Sequence, residues 1–132
     1  MRAFREAVEA GDVEAIETLL AEDVVFTSPA VFKPYAGKPI TAAILRGVMR
    51  VFEDFRYVRE INDPNGRDHA LVFTARVGDR QITGCDFLRV NQDGLIDDFM
   101  VMVRPLSGLQ ALSDAMGAQF DRITKEAEAG AV

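Results

Sequence analysis

Asp86 is the residue whose neighbours give an ordinary side chain unusual chemistry. It lies in Gly84-Cys-Asp-Phe-Leu-Arg-Val90, and counting by twos from Ile82 puts Ile82, Gly84, Asp86, Leu88 and Val90 on one side. A strand sends alternate side chains to opposite faces, so a carboxyl group would enter an otherwise apolar row. Burial disfavours the charged form and raises the pKa of such a group unless a cation pairs with it. An acid held neutral near pH 7 is able to donate a hydrogen bond or act as a general acid. Glycine often marks a bulge, and one at Gly84 would shift the phase and turn Asp86 outward. The register of this strand therefore decides whether Asp86 is a site.

Other reactive side chains are sparse. His69, the single histidine, follows the Asn65-Gly-Arg-Asp68 turn at the start of a strand, where an exposed or locally bonded ring is expected. Without a second histidine or a C-x-x-C spacing, no metal site and no cofactor is expected. Cys85 has no disulfide partner and reads as a small buried hydrophobe. Arg104, ahead of Pro105, is expected in a surface ion pair.

These residues sit in a chain of 132 residues, enough for one domain that buries roughly two-thirds of its unfolded surface. The formal charge of -6 leaves no Lys/Arg footprint for phosphates, so no nucleic acid partner is expected. The longest apolar run, Phe99 to Val103, is too short to cross a bilayer, and the N-terminal segment is amphipathic and acidic rather than a signal peptide. No membrane association is expected, and a cytoplasmic location follows as the default.

Hydrophobic spacing supplies the elements. Phe4 and Val8 share a helical face; Gly11 and Asp12 then supply a stop and an N-cap for a second helix burying Val13, Ile16, Leu19 and Leu20. A strand from Val24 ends at Pro29, and a loop carrying Phe32 and Tyr35 follows. Ile40, Ile44, Leu45, Val48, Met49 and Phe52 recur at helical intervals. The period then changes to two, with turns at Asp63 to Asp68, Gly78-Asp79 and Asn91 to Gly94, which predicts a four-strand antiparallel meander ending near Arg104. Ser107 and Gln110 have the spacing of a capping box opening a last helix, and residues 124–132 read as a frayed tail. Grouped helices and strands give an α+β class. Because the last strand is apolar on both sides, a second subunit is expected to cover the outer sheet face around Cys85, Phe87, Met100 and Met102 as a homodimer.

The order of elements, together with AGDVEAIETLLAEDVVFTSP, YAGKPITAAI, CDFLRVNQDGLIDDFMVMVRP and PLSGLQAL, resembles the nuclear transport factor 2-like superfamily, and within it the SnoaL-like group. The resemblance implies a cone-shaped, helix-lined pocket wrapped by a curved, mainly antiparallel sheet, also known as a cystatin-like roll. In that fold Phe26, Phe32, Tyr35, Phe52, Phe55, Tyr57, Phe73 and Phe99, with Val101 and Val103 on the last strand, would line an apolar cavity for a small apolar molecule.

The stretch Asp86 to Asn91, DFLRVN, matches a ketosteroid isomerase strand whose aspartic acid stays protonated and donates to a developing oxyanion. The resemblance carries that donor role to Asp86; if the protein is an enzyme, Tyr57 or Ser28 is expected to assist it. The rest of that machinery is not matched. Ser28 stands at the isomerase's base, Phe4 at its helix-one tyrosine, and Val101 at the acid used by SnoaL-type cyclases and by limonene epoxide hydrolase. Three readings remain open: a binder of a small hydrophobic molecule with Asp86 as its polar contact, an isomerase, cyclase or dehydratase using Asp86 as a neutral donor, and a noncatalytic association module. The missing second acid or base favours the first.

Overall fold

The computed structural model describes residues 1–131. Helix α1 (Arg2–Ala10) turns Phe4, Ala7 and Val8 inward and ends where Gly11, at φ 69°, donates to the carbonyls of Ala7 and Val8. Asp12 then caps α2 (Val13–Thr18) by accepting from the Ala15 N–H at 3.1 Å. The second helix is shorter than its hydrophobic pattern predicts. Leu20 opens strand β1 (Leu20–Thr27) instead and pairs with Ile96, so the sheet buries it. A two-residue strand β2 (Tyr35–Ala36) within the expected loop pairs with β1, and α3 (Lys38–Val51) follows.

The meander is as expected: β3 (Glu53–Asn62), β4 (Asp68–Val77), β5 (Arg80–Val90) and β6 (Ile96–Arg104) pair antiparallel in sequence. Strand β1 adds parallel to β6, giving a mixed six-stranded sheet in the order β2-β1-β6-β5-β4-β3. The fold is α+β, with the helices on the inner face.

Helices α4 (Leu106–Ala118) and α5 (Phe120–Gly130) close the chain. The capping box does not form. Pro105 takes the N-cap position and its carbonyl accepts from Leu109, which leaves Ser107 inside the first turn, while the Gln110 side chain donates to Asp114. Where a frayed tail is expected, α5 packs on α3 with Ile123 fully buried; Val132 lies outside the described residues. The approach is close because Gly47 lacks a side chain: a Cβ there would meet Ile123 Cδ1 at 2.8 Å. Arg46 reaches Glu17 and Glu126, and Arg50 reaches Glu126 and Gln119, so α2, α3 and α5 are tied together at their exposed edges.

Candidate functional site

Asp86 points inward. The β4–β5 ladder runs from Asp68↔Arg89 to Val77↔Arg80 without a register shift, and Gly84 pairs in step with Phe73. The glycine serves packing. A Cβ at Gly84 would stand 2.3 Å from the Phe73 ring, so its absence lets an aromatic lie across the strand one inward position before Asp86. On either side Asp86 pairs with Leu71 of β4 and Val101 of β6. Its carboxyl group thus lies between two aliphatic residues, with no second acid beside it.

Tyr57 supplies its one polar contact among the described residues. The phenol of Tyr57 donates to Asp86 Oδ2 at 2.6 Å, and the two residues are 4% and 6% exposed. Helix α1 fixes the tyrosine from behind, for the Tyr57 N–H donates to Glu9 and Arg5 donates to the Tyr57 carbonyl. Burial pushes the Asp86 carboxyl up to about 7, and the hydrogen bond from Tyr57 pulls the other way. Burial, and next the negative charge of Asp86, push the Tyr57 phenol well above its ordinary value, so it stays protonated and acts as a donor. Asp86 Oδ1 makes no hydrogen bond within the described protein.

Both side chains line a cavity of about 240 Å³. Phe52, Phe55, Tyr57 and Phe73 form one wall, with Phe55 stacked on Phe73 at 4.9 Å and edge-on to Tyr57 at 5.0 Å. Phe26 and Phe99 form another, 5.4 Å apart, with Phe4 edge-on to Phe99. Tyr35 and Phe120, 6.1 Å apart, also line the cavity, and Phe120 is partly exposed to solvent.

Most of the expected lining residues therefore meet here, including Val101 and Ser28. Two do not. Phe32 is 99% exposed on its loop, and Val103 packs half-buried against the core outside the cavity wall. Ser28 accepts from the Ala30 N–H, a turn contact, and has no base beside it among the described residues. His69 is half-buried, and its ring is bonded to Asn62 and Gly66, the local bonding its turn position suggests. Arg104 faces the outer side of the sheet next to Thr83 and forms no ion pair among the described residues.

Sequence reasoning missed the helical share of the wall, chiefly Met49 of α3 and Met116 and Phe120 of the closing helices. Their helical spacing identifies an inward face, but spacing alone does not distinguish facing a cavity from filling a core.

Among the described residues no group of three or more His, Cys, Asp or Glu side chains is placed to hold a metal ion, and no helix is long and apolar enough to cross a membrane. The site offers one acid able to donate, one phenol that orients it, and apolar walls.

Comparison with known proteins agrees with this architecture. The profile of the SnoaL-like domain family matches residues 1–99. A crystal structure described as a steroid delta-isomerase from Pseudomonas aeruginosa is 44% identical, with 92% of this chain and 89% of that chain covered and a TM-score of 0.86. An uncharacterized bacterial protein with a cystatin-like fold from Silicibacter pomeroyi is 40% identical, covering 96% of this chain and 91% of that one, at a TM-score of 0.88. A putative polyketide cyclase from Pseudomonas putida, 20% identical over 81% of this chain and 90% of that one with a TM-score of 0.67, shares the fold. The comparison with curated proteins gives no match.

Proposed function

The chain belongs to the SnoaL-like domain family, and from that premise we propose that it binds a small, largely apolar molecule bearing one hydrogen-bond acceptor, held by Asp86. The observation that carries this reading is the unshared oxygen of a buried carboxyl group in an apolar cavity. With its pKa near 7, Asp86 is substantially protonated at neutral pH and has a proton to give. A ligand carbonyl would complete what Tyr57 leaves open. The cavity, at about 240 Å³, is below the roughly 300–1,000 Å³ of pockets that enclose drug-sized molecules. One or two fused rings suit it.

The test compares 2-acetylnaphthalene with 2-isopropylnaphthalene, which has nearly the same shape and no acceptor, by calorimetry at pH 6 and pH 8. The ketone is expected to bind about tenfold tighter than the hydrocarbon at pH 6, the worth of one hydrogen bond, and to lose most of that preference at pH 8. Equal affinities at pH 6, or an Asp86→Leu variant that keeps the ketone preference, would remove Asp86 as the contact.

A second reading has support from the 44% identity to the Pseudomonas aeruginosa protein described as a steroid delta-isomerase. Moving a double bond requires a base to take a proton from carbon and return it, while a donor stabilises the enolate. Asp86 with Tyr57 fits the donor half, but among the described residues the cavity wall carries no other carboxylate or histidine for the base. With a β,γ-unsaturated ketosteroid, the conjugated-enone absorbance is therefore expected to grow no faster than in buffer. Turnover that Asp86→Leu abolishes would favour the enzyme.

A further inference from the structure

Gly117 lines the cavity from the last turn of α4, and the fold supplies no reason for a glycine there. Its backbone is helical, where glycine is less favourable than alanine because it loses more conformational freedom on folding. No neighbour presses on it either, since a Cβ at Gly117 would meet no packed atom within 4 Å among the described residues. Gly47 and Gly84 differ, for a Cβ at either would collide with Ile123 or Phe73. The space that a side chain at position 117 would take is therefore empty. It lies on the cavity side of the helix, because Ser113, one turn earlier, and Phe120, three positions later, line the same wall.

Exposure shows where that space leads. Most of the lining is buried or half-buried, but Ala30, Val31, Gly117 and Phe120 are exposed, Val31 at 44% and Phe120 at 39%. They fall in two segments, the loop after β1 and the junction of α4 with α5. Tyr35, where that loop rejoins the sheet, lies 6.1 Å from Phe120, which brings the two segments together. We infer that Gly117 holds open a portal between the α4–α5 junction and the Ala30–Val31 loop, through which the ligand enters and through which any part too large for the cavity extends. This rests on the proposed binding of an apolar molecule at Asp86, and it widens the ligand class to a ring system that bears an acceptor at one end and a linear substituent at the other. A side chain at position 117 would narrow the passage and leave Asp86 and Tyr57, both buried on the sheet, as they are.

Two ketones test this by calorimetry on the full chain at pH 6. 2-Acetylnaphthalene is small enough to sit inside, whereas the chain of 2-acetyl-6-hexyloxynaphthalene must pass out. Wild type is expected to bind the two within about threefold of each other. Gly117→Leu is expected to hold 2-acetylnaphthalene within about threefold of wild type, with association and dissociation both slowed ~10-fold or more in stopped-flow fluorescence. The same variant is expected to weaken the hexyloxy ketone by ~30-fold or more, and Gly117→Ala to fall between it and wild type. Both variants are expected to melt no lower than wild type, since each residue favours a helix more than glycine does, and the melts separate a closed passage from a lost fold. A Gly117→Leu variant that binds the hexyloxy ketone as wild type does overturns the portal, as does a wild type that rejects it. If wild type binds 2-acetylnaphthalene and 2-isopropylnaphthalene equally, Asp86 fails as the contact, while loss of the hexyloxy ketone in Gly117→Leu still supports the portal. A wild type that binds none of these compounds overturns both.

Discussion

Residues 85 and 86 are chain neighbours on opposite faces of one sheet, and the two faces treat polarity in opposite ways. The inner face of β5 carries Ile82, Gly84, Asp86, Leu88 and Val90, one carboxyl in an apolar row under helices. The outer face carries Gln81, Thr83, Cys85, Phe87 and Arg89, with polar residues at the ends and the apolar pair in the middle. A charge at the rim of an exposed face stays solvated and changes stability little. The same charge inside loses its water, and its protonation state becomes an energetic variable that a ligand can exploit. The difference lies in surroundings rather than residue type, since Asp86 and Asp98 are on adjacent strands of one sheet.

The largest contrast between the faces is in packing, and Phe73 with Thr74 exposes it. Phe73 is 1% exposed and touches Phe52, Phe55 and Tyr57 as well as the Gly84 backbone, while Thr74 points outward beside Arg56 and Thr83. Phe73→Ala is expected to cost about 3–5 kcal/mol in urea unfolding. Thr74→Ala should stay within about 0.5 kcal/mol at concentrations where subunit association does not contribute. Similar costs at both positions would mean that the outer face is packed as the inner one is.

How far the sequence revealed this arrangement depended on the range of the interaction. The strand period and turns placed Asp86 on the inner side, because alternation is local and a carboxylate interrupts it visibly. The phase ambiguity at Gly84 was not resolvable from the strand itself, since what occupies the glycine's space is Phe73 of the neighbouring strand. The Tyr57–Asp86 hydrogen bond spans 29 residues and two ladders, so both residues were candidates but their contact was invisible. Phe32 misled because aromatic character suggests burial, whereas its loop has no partner element to cover it. Leu20 fits both the helix that precedes it and the strand it opens, and only its pairing with Ile96 decides.

The next contrast is electrostatic and has a definite sign. The Asp86 pKa is raised on folding from 3.8 to about 7, so between those values the folded state holds a proton that the unfolded state releases. This group's contribution is fully present below pH 3.8, declines as pH rises through about 7, and is constant above. The swing amounts to roughly 4 kcal/mol. Asp86→Asn, which keeps the shape but cannot ionise, should therefore gain stability relative to wild type by a few kcal/mol between pH 4 and pH 8, as read by urea unfolding at each pH. A constant difference across that range would mean that Asp86 is solvated or paired with a cation.

A smaller and more specific effect separates the two residues of the site. The Tyr57 hydroxyl favours the charged form of Asp86, because a phenol donates more strongly to a carboxylate than to a carboxylic acid. Tyr57→Phe removes that donor and leaves the walls nearly unchanged. The Asp86 pKa, followed by its carboxyl-carbon resonance, should then rise above about 7. The stability cost should be about 1–3 kcal/mol at pH 8, where the carboxylate is left without its partner, and less at pH 5, where the neutral acid needs it less. A pKa that falls, or a cost larger at pH 5, would mean that the tyrosine mainly fills space.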